Sequence, residues 1–135
     1  MMSLWSRRSQ LQKLPLYEVM VTFQHVGFHC WPKAPETHAY LRNDHRHLFK
    51  FVIRLRANHA DRDIECHALK QSCEVWAQGA LLRRTTKSCE QFSVDLLEFL
   101  RRGFEPTWGR VECWEDGEVG GACECEFTEL ENPGK

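Results

Sequence analysis

The sequence predicts an α+β domain, an antiparallel sheet whose elements run strand, strand, helix, helix, strand, strand (ββααββ). Three observations carry this. Period-two alternation of apolar residues marks four segments, near 16–26, 45–56, 110–115 and 122–127. Between the second and third of these, apolar residues recur at helical spacing in two segments, 63–79 and 89–102. The chain has 135 residues, 42% of them apolar and 27% charged, which suits one core, is short for two, and excludes a disordered or low-complexity chain.

In chain order, residues 1–13 are polar and basic and are expected to form a disordered arm ahead of a single domain at 14–130. In the first strand Tyr17, Val19, Val21, Phe23 and His25 share one face. The segment from Gly27 to Asp44 contains Pro32 and Pro35 and reads as a long loop carrying His29, Cys30 and His38; long loops in compact domains are often functional. The second strand is the clearest, with His45, His47, Phe49, Phe51, Ile53 and Leu55 on one face and basic residues on the other.

The first helix has its stripe at Leu69, Cys73, Trp76 and Ala80 and is expected to close near Gly79. The second opens on Ser88 with Gln91 three residues on, a capping box. It carries Phe92, Leu96, Phe99 and Leu100 as its stripe, and it ends with Arg101 and Arg102 before Gly103. Asp116-Gly117 joins the last two strands, where Cys123, Cys125 and Phe127 share a face, and 131–135 form a tail. No internal repeat is evident.

Eighteen Lys and Arg against nineteen Asp and Glu give a formal charge of −1, so no global positive field would draw in nucleic acid or an anionic membrane. No run approaches the ~20 apolar residues of a membrane span. The N-terminal residues lack the apolar run of a secretory signal, and an odd count of seven cysteines reads as reduced thiols, so a cytoplasmic location is expected. There is no Gly-rich phosphate loop, P-loop or G-x-S-x-G. Cys113, Cys123 and Cys125 make a poor structural zinc set and read better as buried small residues. Arg83, Arg84 and Lys87 suit either a triphosphate or a solvated loop.

His45-Arg46-His47 is the most informative triplet. Strand alternation projects both imidazoles from one face with Cα atoms roughly 6.6 Å apart, close enough to converge on one ion. A third imidazole would complete the set that catalytic zinc prefers, with a fourth position open to water or substrate; His29 and His25 are the candidates. Copper, iron and nickel also accept imidazoles, so zinc is a preference.

Taken together, a histidine ending the first strand, a Pro-containing loop, an H-x-H opening an aromatic second strand, two helices and a final Trp-Glu strand resemble the 6-pyruvoyl and 6-carboxy tetrahydropterin synthases. The family's His-Gly-His stands here as His45-Arg46-His47-Leu48-Phe49. Its His-Arg-Leu-Pro segment is similar to His29-Cys30-Trp31-Pro32, which favours His29 over His25. Its Pro-Thr-x-Glu-Asn helix start resembles Lys87-Ser88-Cys89-Glu90-Gln91, and its Trp-Glu-Thr strand resembles Trp114-Glu115-Asp116. The resemblance spans about residues 16–122.

The resemblance implies the tunnelling fold: an antiparallel sheet with two helices on one face, whose subunits join edge to edge into homo-oligomers, often hexamers. It implies zinc on His29, His45 and His47, and a pterin or purine-like ligand held by Glu115 and Glu90. The ring anchor and the metal are expected to engage opposite ends of that ligand. The activity implied is that of a carbon–oxygen lyase on a reduced-pterin triphosphate. The family's catalytic cysteine precedes its H-x-H, where this chain has Ala39-Tyr40-Leu41-Arg42-Asn43-Asp44, and its Asp-His pair is absent from 81–87. The acid/base work would fall to Cys30, Asp44 or His67. The alternative is a non-catalytic zinc protein that sequesters a pterin, purine or related nucleotide.

Overall fold

The computed structural model describes residues 14–127; the expected arm at 1–13 and tail at 131–135 lie outside the described residues. Four strands form one antiparallel sheet in the order β1-β2-β3-β4: β1 (Tyr17–His29), β2 (His45–Ala57), β3 (Trp108–Glu115) and β4 (Val119–Glu126). Two helices, α1 (Cys66–Leu81) and α2 (Cys89–Phe104), cover one face, α1 over β1 and α2 over β3 and β4. The α+β class and the ββααββ order are those expected.

The core lies between the helices and the odd-numbered positions of β1 to β4. Phe49, Phe51, Ile53 and Leu55 of β2 are fully buried against Leu69 and Cys73 of α1 and Phe92 and Leu96 of α2. The opposite face is a charged ladder. Arg54 donates to both Glu18 oxygens, at 2.6 and 3.0 Å, and Arg54 and Arg56 stack over the Trp108 ring.

β1 takes in the first three residues of the expected loop, because its alternation persists through Gly27 and His29. Gly27 marks a close approach rather than a loop: a Cβ there would come within 2.9 Å of the Phe49 ring and 3.0 Å of Leu81 Cβ. The remaining loop is organised by a 3-10 stretch at Glu36–Arg42, broken at His38.

α1 also runs past its expected stop. Gly79 faces open space and ends nothing, and the buried stripe is Leu69, Cys73, Ala77 and Leu81, with Trp76 half-buried edge-on to Phe51 and Ala80 beside the stripe. The Ser88–Gln91 capping box of α2 forms as expected. That helix passes Gly103 and ends at Glu105, which takes the left-handed conformation (φ 52°, ψ 48°) and donates its N–H to the Arg101 carbonyl, just before Pro106. Leu97 is buried where Phe99 was expected; Phe99 is 41% exposed. At the β3–β4 turn Asp116 and Gly117 have φ of 53° and 73°, and the Glu118 N–H closes onto the Glu115 carbonyl.

Among the described residues the seven cysteines form no disulfide, and no helix is long and apolar enough to cross a membrane.

Candidate metal centre

Register brings three histidines together. His29 lies directly opposite His45 across the β1–β2 ladder, and Gly27 lies opposite His47, so all three imidazoles project from the helix-covered face at one end of the sheet. The rings meet edge to face, with centroids 4.5 Å (His29–His45), 5.2 Å (His29–His47) and 4.8 Å (His45–His47) apart. One ring nitrogen from each lies within 4.8 Å of the others. His29 is buried and the other two are half-buried. His25 is two pairs further along, opposite Phe49, with its Nδ1 on the Val26 carbonyl at 2.6 Å, and takes no part.

Each imidazole has its Nδ1 engaged. His29 Nδ1 donates to the Lys87 carbonyl at 2.9 Å, His45 Nδ1 to the Asn43 carbonyl at 2.9 Å, and His47 Nδ1 to Asp116 Oδ2 at 2.7 Å. An acceptor at Nδ1 fixes the proton there and leaves Nε2 as a bare lone pair, the arrangement found behind metal-ligating histidines. The Nε2 atoms of His29 and His47 are buried with no hydrogen-bond partner. Two orphaned lone pairs among converging imidazoles are what a zinc ion would satisfy, so the donor set fits zinc.

Glu115 stands beside them. It is opposite Phe49 in the β2–β3 ladder and faces the same side; its Oε1 is 3.1 Å from His29 Nε2 and its Oε2 is 3.4 Å from His47 Nε2. Glu115 and the imidazoles are therefore adjacent, because β3 pairs directly with β2. His29 titrates above the ordinary histidine value. Burial pulls it down, but Glu115 and the Lys87 carbonyl together raise it more. Glu115 is held below the ordinary carboxylate value, first by His29 and then by His47, against burial. The Cys89 thiol donates to Glu115 Oε1 at 3.4 Å, and its own titration is pushed far up by neighbouring Cys113 and by burial.

The centre opens into a cleft of about 520 Å³ lined by His29, His45, Glu115, Trp31, Leu41 and the first turn of α2. Glu90 lines the cleft and packs against Gly121, which has no side chain to obstruct it. Cys30 also lines it, beside Asp44; partial desolvation and then the Asp44 carboxylate push its thiol up, and Asp44 pairs with Arg84 at 3.1 Å. His67 does not belong to this lining. Its side chain is 89% exposed on the first turn of α1, with Nδ1 2.8 Å from Glu65 Oε1. Cys30, Glu90 and Glu115 thus share the cleft with His29 and His45, Asp44 borders it through Cys30, and His67 lies elsewhere.

Sequence reasoning missed the groups that orient the imidazoles: Asp116, read as a turn former and as the end of the Trp-Glu motif but not as a partner of His47, and the Asn43 and Lys87 carbonyls, which carry no side-chain signal. It also missed the apolar walls supplied by Trp31 and Leu41. The one available signal was the adjacency of Asp116 to Glu115.

No protein-family model matches the chain, and no curated protein matches it. Solved structures do. A 6-pyruvoyl tetrahydropterin synthase from Caenorhabditis elegans aligns with TM-score 0.62 at 12% identity, covering 83% of this chain and 97% of that one. A catalytic-residue mutant of the Plasmodium vivax 6-pyruvoyltetrahydropterin synthase aligns with TM-score 0.64 at 13% identity, covering 84% and 99%. At such identities the likeness is one of fold, and over most of its length this chain has the fold of the 6-pyruvoyl tetrahydropterin synthases.

Proposed function

We propose that the chain is a zinc-dependent, tetrahydropterin synthase-like enzyme, a carbon–oxygen lyase acting on a reduced-pterin triphosphate. The observation that carries this is the set of three imidazoles with every Nδ1 engaged and the Nε2 atoms of His29 and His47 orphaned. His29, His45 and His47 would hold the ion, and bound zinc would supply Lewis-acid polarisation of a hydroxyl or carbonyl oxygen on the ligand's side chain. Glu90 and Glu115 accept hydrogen bonds from the ring's N–H groups, and Trp31 and Leu41 give the ring apolar walls. Cys30, which keeps its proton at neutral pH, and Asp44, which can accept one, form the acid/base pair at the cleft mouth. Exposed Arg84, beside Asp44, faces the leaving triphosphate.

The reading includes self-association, since β1 and β4 leave unpaired edges among the described residues, and a cytoplasmic home for its thiols. A stable monomer in sedimentation at micromolar concentration contradicts the first.

A second reading, a zinc protein that sequesters a pterin, purine or related nucleotide, is favoured by one observation: His67 lies outside the cleft, and the histidines that line it, His29 and His45, are taken up by the proposed metal, which leaves none to partner Cys30 and Asp44. Incubation with dihydroneopterin triphosphate separates the two. Triphosphate release abolished by His47→Ala supports the enzyme, and binding without release supports sequestration.

A further inference from the structure

We propose that Gly121 is a positioning residue for ligand selection: having no side chain, it seats Glu90 in the cleft and so adds a second carboxylate to Glu115 for a fused ring with N–H groups on two edges. This role rests on the ligand reading above.

The seat follows from register. Gly121 pairs with Cys113 across the β3–β4 ladder, one inward-facing pair beyond Glu115 and Val119, so a Cβ there would project toward α2. Ser93, fully buried on α2, ties that helix to β4: its Oγ donates to the Cys89 carbonyl at 2.9 Å and lies 3.3 Å from the Gly121 carbonyl. Glu90 fills the gap that remains. A Cβ on Gly121 would come within 2.2 Å of Glu90 Oε1 and 2.7 Å of its Cδ and Cγ. The neighbouring glycine differs. A Cβ on Gly120 would come within 2.2 Å of the Cys113 carbonyl oxygen, so the strand backbone itself requires Gly120, whereas Gly121 makes room for one flexible side chain.

That side chain is free to take a ligand. Glu90 lines the cleft with Glu115, is exposed, and makes no hydrogen bond or ion pair among the described residues. Glu115, by contrast, already accepts from the Cys89 thiol. A ring with donors on one edge satisfies Glu115 alone. A ring with donors on a second edge also satisfies Glu90, through a further charge-assisted hydrogen bond.

The test is calorimetry of dihydroneopterin triphosphate binding to the full zinc-loaded chain. Glu90→Ala and Gly121→Ala should each weaken binding about tenfold. The Glu90→Ala, Gly121→Ala double variant should bind no more weakly than either single variant, because the glycine acts only through Glu90. Zinc content should stay that of wild type in all three, which separates loss of an acceptor from general damage to the centre. A double variant weaker by about a hundredfold, the product of independent effects, would overturn this role. So would full affinity in either single variant, and both results leave a binding wild type and its proposed function standing. A wild type that binds no pterin removes the function and this role together. Gly121→Ala that fails to fold while the double variant folds supports the seat, since deleting the Glu90 side chain relieves the clash. Failure of both to fold would show that the backbone needs Gly121 and would overturn the role.

Discussion

Asp116 holds His47 from across the sheet. Its Oδ2 accepts the His47 Nδ1 proton at 2.7 Å while its Oδ1 accepts the Leu48 N–H at 2.9 Å, so one turn residue fixes both the backbone and the imidazole of β2. Its carboxyl is held below the ordinary aspartate value by His47 first and then by that N–H.

Asp116→Asn should therefore weaken zinc binding by about 10–100-fold with the fold intact. Asparagine tolerates the positive φ of 53° but can present an amide N–H to Nδ1, which moves the imidazole proton to Nε2 and removes the lone pair. Chelator competition measures this, and unchanged affinity would mean that the His47 tautomer is set elsewhere.

Gly27→Ala should destabilise the protein by about 1–3 kcal/mol, because the new Cβ meets the fully buried Phe49 ring and Leu81 Cβ. Phe49 packs edge-on to both His29 and His47, with centroids 5.3 and 5.7 Å away, so zinc affinity should fall as well. Urea denaturation and metal titration read the two effects; equal stability would show that the helix can lift off the strand without cost.

Glu18, on the outer face, titrates below the ordinary carboxylate value because Arg54 donates to it. A lowered folded-state value stabilises the protein above the unfolded value of about 4.3, and that stabilisation is lost as pH falls through the folded value. Glu18→Gln should cost about 1 kcal/mol or less at pH 7, given the exposure of the pair, and nothing at pH 2. A difference that grows toward acid would contradict the pairing.

The element order was legible because period-two and helical spacings are strong here, and the H-x-H face followed from alternation alone. The end of β1 was not, because Gly27 is a turn signal locally and a packing necessity only once Phe49 and Leu81 are above it. Likewise Gly79 and Gly103 suggested helix ends, yet their solvent-facing positions let both helices continue. The site was half visible. His29, His45, His47 and Glu115 were named from motif order, but their mutual distances depend on the pairing of β1 with β2 and β2 with β3, which no local pattern encodes. The Nδ1 acceptors came from a turn, a loop carbonyl and the residue ahead of a helix cap, and those belong to tertiary structure.

The proposed zinc ion rests on His29, His45 and His47. Elemental analysis of the purified full chain, alongside a His45→Ala, His47→Ala double variant and the single variants His29→Ala and His25→Ala, tests it most directly. About one zinc per chain is expected in wild type and in His25→Ala, with the metal lost from the double variant and from His29→Ala. Equal metal content in wild type and the double variant, or loss on His25→Ala but not on His29→Ala, would contradict it.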